Sequence, residues 1–177
     1  MSLQLLQDFV NTYDVEDAVE HLDTPAALAR WLGERDLAPG RSRADARDLQ
    51  EAHAVREALR VLLLANNDVE VDVAAASATL NRAARRVRLG VRFGGDGGAR
   101  AEPGTGGAAG GLGRILGAAA DAMATGEWRR LKACRAESCR WAFIDTARNQ
   151  SRAWCSMEVC GNREKAKRFR ERHAAGA

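Results

Sequence analysis

The chain has 177 residues, 46% of them apolar, and a net charge of +3, which suits one ordinary domain with a small appendage and leaves no room for a second full core. No stretch approaches the roughly eighteen consecutive apolar residues of a membrane span, and the opening MSLQLLQDFVN has no basic region leading into a long apolar run, so a soluble, cytoplasmic protein without membrane attachment is expected. Charge is polarised: residues 1–128 carry 14 Lys+Arg against 19 Asp+Glu, net −5, while residues 129–177 carry 13 against 5, net +8. A basic tail on an acidic body points to an anionic partner such as nucleic acid, or else to a merely solvated tail.

Leu6, Phe9, Val10 and Tyr13 recur at helical spacing, with Asp8, Asn11 and Thr12 on the opposite face. Thr24-Pro25 reads as an N-cap followed by proline in the first turn, opening a helix with Leu28, Trp31 and Leu32 that stops at Gly33. Ala52, Val55, Leu59, Leu62 and Leu63 mark a long amphipathic helix over 44–65, ended by Asn66-Asn67-Asp68. An alanine-rich helix is expected over 71–86. The period then shortens: Val87, Leu89, Val91 and Phe93 alternate as in a strand or hairpin, and the glycine-rich run that follows reads as a loop or linker rather than a phosphate cradle. A helix over 112–124 closes at Thr125-Gly126. The expected fold is mainly α with a small β insertion (α+β), a helical domain over 1–128 with a hairpin and loop near 87–110, and a separate unit over 129–177.

All four cysteines fall in that last unit. Four residues lie between Cys134 and Cys139, fifteen between Cys139 and Cys155, and four between Cys155 and Cys160. Two pairs around a longer loop are what tetrahedral Zn²⁺ needs; disulfides or free thiols are the alternatives, the former rare in a reducing cytosol. Trp141, Phe143 and Asp145 alternate with Ala142 and Ile144, a turn follows at TARNQS, and Arg152-Ala153-Trp154 returns as the second arm of a hairpin. Ser156 is placed to cap a helix holding Cys160, with a first short turn ending near Gly161, and Val159, Ala166 and Phe169 form a face that can pack on that hairpin. Knuckle, hairpin and helix together describe a treble-clef-like Cys₄ finger.

CRAESCRWAFIDTARNQSRAWCSMEVCGNR resembles the CGNR zinc finger, with its paired cysteines, W-x-F-x-D strand, S-R-x-x-W-C-S-M segment and closing C-G-N-R. Upstream, LQDFVNT, DTPAALARWL and the REALRVLLLA helix resemble the ABATE domain that accompanies this finger in bacterial proteins. The resemblance implies Cys134, Cys139, Cys155 and Cys160 as ligands of one structural zinc per chain, DNA binding by the finger, a sensing role for the helical part, and a place among stress-induced transcription regulators. Ala142, Ala147 and Gln150 depart from the expected pattern, the last by removing a basic residue from the turn.

Two basic stripes flank the apolar face of the last helix, Arg163, Lys167 and Arg170 on one side and Lys165, Arg168 and Arg172 on the other, with Arg148 and Arg152 at the hairpin. They are candidate phosphate contacts. Alternatively Lys132, Arg135, Arg140, Arg152 and Arg163 balance the −2 charge of a Zn²⁺ held by four thiolates. Asp8, Asn11 and Thr12 either line the pocket of a small-molecule effector or form a solvated, capping face. His21, His53 and His173 lack metal-type spacing, His173 serving as a ligand only if one cysteine pair fails to close. The four tryptophans read as core residues. No constellation points to an enzyme, since four cysteines leave zinc no open position. The reading is a DNA-binding regulator, with a zinc-stabilised interaction or homodimerisation module as the alternative.

Overall fold

The structure, a computed structural model, describes residues 3–174. Helix α1 (Leu3–Val10) buries Leu6, Phe9 and Val10, whereas Tyr13 lies past its end in a two-residue strand β1 (Tyr13–Asp14), paired antiparallel with β2 (Val19–Glu20). Helix α2 (Pro25–Gly33) starts as its sequence dictates. Thr24 Oγ1 accepts the Ala27 N–H at 3.1 Å and Pro25 takes the first turn, where no N–H is needed.

Helix α3 (Ala46–Ala65) opens with a capping box between Asp45 and Asp48 and runs through the centre of the molecule. It packs on α1, on α2 and on the two later helices, α4 (Val73–Arg86) and α5 (Gly107–Ala124). A simple amphipathic helix would leave one face wet, yet α3 buries Arg56 and Arg60 beside its leucines. A buried guanidinium without partners would cost several kcal/mol, and neither is bare. Arg56 makes a bidentate pair with Glu20 at 2.7 Å for both bonds. Burial alone would raise the Glu20 carboxyl, but the Arg56 hydrogen bonds and the Leu22 amide outweigh it and hold it below its ordinary value.

After α4, strands β3 (Leu89–Phe93) and β4 (Ala99–Pro103) form an antiparallel hairpin with Leu89 opposite Pro103. The glycine-rich run is therefore no linker: it holds β4, and α5 begins at Gly107 rather than Leu112. Close approach is the reason. A Cβ at Gly113 would stand 2.5 Å from Pro103 Cβ, and one at Gly117 would stand 3.2 Å from Ala101 Cβ, so these positions let α5 lie directly on β4.

A 3₁₀ turn (Glu127–Arg130) leads to β5 (Leu131–Ala133), which pairs antiparallel with β6 (Ala142–Ile144). The finger's hairpin is thus 131–144, with the first cysteine pair in its connection. The segment 152–154, expected as its second arm, forms no strand. Leu131, Ala133 and Ala142 belong to one apolar core with α1, α2, α3 and α5. The described residues are mainly helical, with small antiparallel sheets, and no helix among them is long and apolar enough to cross a membrane.

Candidate metal centre

The β5–β6 connection folds as a knuckle. Cys134 N–H donates to Trp141 O at 2.9 Å, while the amides of Cys139 and Arg140 both donate to Ala136 O, at 3.0 and 3.1 Å, with Arg140 at φ 53. Of the second pair, Cys155 stands just ahead of a tight π turn (Met157–Gly161) and Cys160 lies within it, and the turn leads into α6 (Asn162–Ala174). Ser156 caps that turn by accepting the Val159 N–H, as its position predicts. The four sulfurs all lie within 4.8 Å of one another. Cys155 Sγ is 3.6 Å from Cys139 Sγ and 3.7 Å from Cys160 Sγ.

Those separations decide among the sequence alternatives. Disulfide sulfurs stand about 2.05 Å apart, and all four cysteines are free. A tetrahedral cation with Zn–S near 2.3 Å places its sulfurs about 3.8 Å apart, close to the two separations that Cys155 makes, 3.6 and 3.7 Å. Electrostatics agrees. The Cys134 thiol is pulled down to about 2 by hydrogen bonds from Cys139 and then Cys155, while the bond each makes with Cys134 first pushes Cys139 up and raises Cys155 to about 12. Burial raises Cys160. Thiolates this close repel one another, and a divalent cation is what lets four ionise together.

Residues 130–173 match the CGNR zinc finger, and residues 3–126 match ABATE, described as "Putative stress-induced transcription regulator". The chain belongs to the ABATE family. No curated protein matches it. The four cysteines of this ABATE chain are its zinc site, one ion per chain, where their spacing alone leaves disulfides and free thiols open and the resemblance to the CGNR finger implies the ligands.

The closing C-G-N-R of the finger acquires a physical meaning letter by letter. Cys160 supplies a sulfur, and Gly161 is buried where a Cβ would stand 2.5 Å from Met157 Sδ. Asn162 Nδ2 donates to Glu158 O at 3.0 Å, locking the turn. Arg163 donates to Glu16 at 2.7 Å and to Ser138 at 3.2 Å, tying the finger to the β1–β2 turn. Its guanidinium is held further protonated first by Glu16, with smaller help from Cys160 and Cys139.

The basic residues expected near the sulfurs also have partners elsewhere. Lys132 lies buried against Asp145 at 2.9 Å and donates to the carbonyls of Gln150 and Arg152. Burial would raise Asp145, but Lys132 and the amides of Ala147 and Arg152 hold it below its ordinary value. The loop 145–152 thus winds round one carboxylate. Arg152 lies over the Phe143 ring at 5.1 Å and donates to Cys155 O, so it and Arg163 have internal partners. Arg148, Lys165, Lys167, Arg168, Arg170 and Arg172 are exposed and form no ion pair or side-chain hydrogen bond among the described residues.

Val159 and Phe169 do not pack on the hairpin. They are 53% and 55% exposed, and α6 makes its substantial contacts with the turn before it. Phe169 stacks on His173 with ring centroids 4.0 Å apart. His173 is accordingly no member of the sulfur cluster. Trp31 and Trp128 are core residues as expected, while Trp141 and Trp154 are half-buried against the cysteines.

Asp8, Asn11 and Thr12 meet at one cleft of about 530 Å³, with His21, Arg30 and Trp141 also on its wall. Asn11 and Thr12 are not a solvated face, however. Both are buried: Asn11 donates to Ala142 O at 2.9 Å and accepts Ala142 N–H at 2.8 Å, and Thr12 Oγ1 donates to Phe9 O. Asn11, in the turn just past the end of α1, faces the finger, a partner the sequence pattern does not reveal.

Sequence reasoning missed the side chains through which the helical part grips the finger's hairpin and the chain leading into it. Arg60 donates to Val10 O, Tyr13 O and Arg140 O at 2.7, 3.1 and 3.0 Å. Asn66 donates to Trp128 O and Leu131 O, both at 2.9 Å. The only local signal was a pair of asparagines where one would end a helix.

Proposed function

We propose that this ABATE chain is a DNA-binding transcription regulator of the cytoplasm, in which residues 129–177 carry the nucleic-acid surface and residues 1–128 sense an effector or join two copies. The observation that carries this reading is α6. Of its five exposed cations, Lys165, Arg168, Arg170 and Arg172 flank the bare Phe169, while helical spacing puts Lys167 with Glu164 and Glu171 on the far side. A helix laid on DNA this way sets those four cations toward phosphates and Phe169 toward the bases, where an apolar ring suits a thymine methyl. Arg148 adds a fifth charge at the turn. The zinc is structural, four sulfurs filling its shell.

The effector role rests on the cleft at Asp8, whose wall includes Trp141 of the finger, so a small molecule there would touch both parts of the chain. A second reading, a protein-interaction or homodimer module without DNA binding, is favoured by the β3–β4 hairpin, where Val91 and Phe93 are 67% and 79% exposed.

Anisotropy titrations of duplex DNA with the zinc-loaded protein separate the two. With five phosphate contacts, affinity falls roughly five-hundredfold between 50 and 200 mM salt. Replacing Arg168 and Arg170 by alanine lowers the slope by about two while zinc stays bound. Absence of binding at 50 mM salt, or binding indifferent to salt, turns the choice to the interaction module.

A further inference from the structure

Asn67 lies just beyond the α3 C-cap and is 1% exposed. Its Nδ2 donates to Ala133 O and to Ala153 O, each at 2.8 Å. Ala133 directly precedes Cys134, and Ala153 stands two residues before Cys155. One amide therefore grips the two cysteine-bearing segments at once. Arg135, next to Cys134, closes the ring: its backbone N–H donates to Ala153 O at 3.1 Å, its Nε to Asn67 O at 2.6 Å, and its Nη2 to Asp68 at 2.9 Å.

We infer that Asn67 is a positioning residue for the zinc site, a brace in the helical part that sets the two sulfur pairs at ligating distance, with Arg135 as its counterpart in the finger. The knuckle and the segment before Cys155 are not strand-paired with each other, and fifteen residues separate Cys139 from Cys155. Bringing such segments together costs conformational entropy, and a site assembled only by its metal loses that cost from its affinity. Asn67 meets part of it through the fold of α3. The end of α3 and the zinc sulfurs are consequently coupled: disturbance of one weakens the other.

Asn66 is the control. It sits on the same helix end and its amide makes two bonds of the same kind, but to Trp128 and Leu131, ahead of the cysteine window. Competition of the full chain for zinc against a chromophoric chelator reads the effect, with melting temperature measured on the same samples. Asn67→Ala weakens zinc binding about 10- to 100-fold, whereas Asn66→Ala, at a similar loss of melting temperature, stays within about threefold. The cobalt-loaded Asn67→Ala protein also shows broadened, weaker visible bands, while Asn66→Ala keeps the tetrahedral tetrathiolate spectrum. Arg135→Ala, at a half-exposed site, keeps the question answerable should Asn67→Ala fail to fold, and weakens zinc binding in the same direction. Equal zinc affinity in Asn67→Ala and the parent, equal losses in the Asn66 and Asn67 variants, or an unchanged Arg135→Ala would overturn the assignment.

Discussion

The knuckle and the terminal helix both belong to the cysteine-rich third of the chain, yet they are held by different forces. The knuckle hairpin places Leu131, Ala133 and Ala142 in the main core and receives hydrogen bonds from Asn11, Arg60, Asn66 and Asn67 of the helical part. Helix α6 has its base at the sulfur cluster and one side contact through Arg163. The finger is thus half scaffold and half presented arm, and zinc is the joint between them. Fusing the knuckle into the core fixes where the arm begins without covering the arm's surface.

Removing zinc is the severest way to break this comparison. Structural zinc contributes roughly 10–16 kcal/mol in small fingers that depend on it entirely, but here the dependence is unequal. On chelation, hydrogen exchange accelerates to near-unfolded rates across 155–174, because beyond the exposed Arg163 bonds and the Arg152 bond to Cys155 O that segment is rooted by Cys155 and Cys160. Amides of 131–133 and 142–144 retain most of their protection. Equal loss of protection in both segments would show that the knuckle draws its order from the metal after all.

Arg60→Ala attacks the other half. It strips the carbonyls of Val10, Tyr13 and Arg140 of a shared buried donor and leaves Glu57 without one of its two arginine partners. Breaking a buried charged network in this way costs about 3–5 kcal/mol. Chemical denaturation of the zinc-loaded protein measures it. A loss below about 1 kcal/mol would mean the helical part and the knuckle share less than their geometry suggests.

What was legible in the sequence follows the same division. The cysteine ligands, the Thr24-Pro25 start and the Ser156 cap were readable because each depends on residues a few positions apart. Strand β5 was not: Lys132 occupies a buried strand position only because Asp145 lies thirteen residues on, and nothing near Lys132 announces that partner. Nor could the glycines of α5 be told from a linker, since what they accommodate is β4, already passed in the chain. Asn67 reads locally as a helix stop, whereas its amide works 66 and 86 residues away. Phe169 failed in the opposite sense. Helical periodicity correctly marked an apolar face, but periodicity says nothing about whether a surface waits to receive it.

The smallest effect is also the sharpest test of the arm. Phe143 and Phe169 are both finger phenylalanines, the first 6% exposed under Arg152, the second more than half exposed. Truncating a buried phenylalanine costs about 3–5 kcal/mol through lost burial and the cavity left behind, so Phe143→Ala falls in that range. Phe169→Ala shifts stability by less than about 0.5 kcal/mol, as surface changes do, because its ring touches little besides His173. If Phe169→Ala instead destabilised the zinc-loaded protein by more than about 1 kcal/mol, the ring would have to be seated on something in solution. The arm would then be docked rather than presented. A near-zero value leaves that ring bare in the folded protein, so any effect of the same substitution on DNA binding belongs to the interface and not to folding.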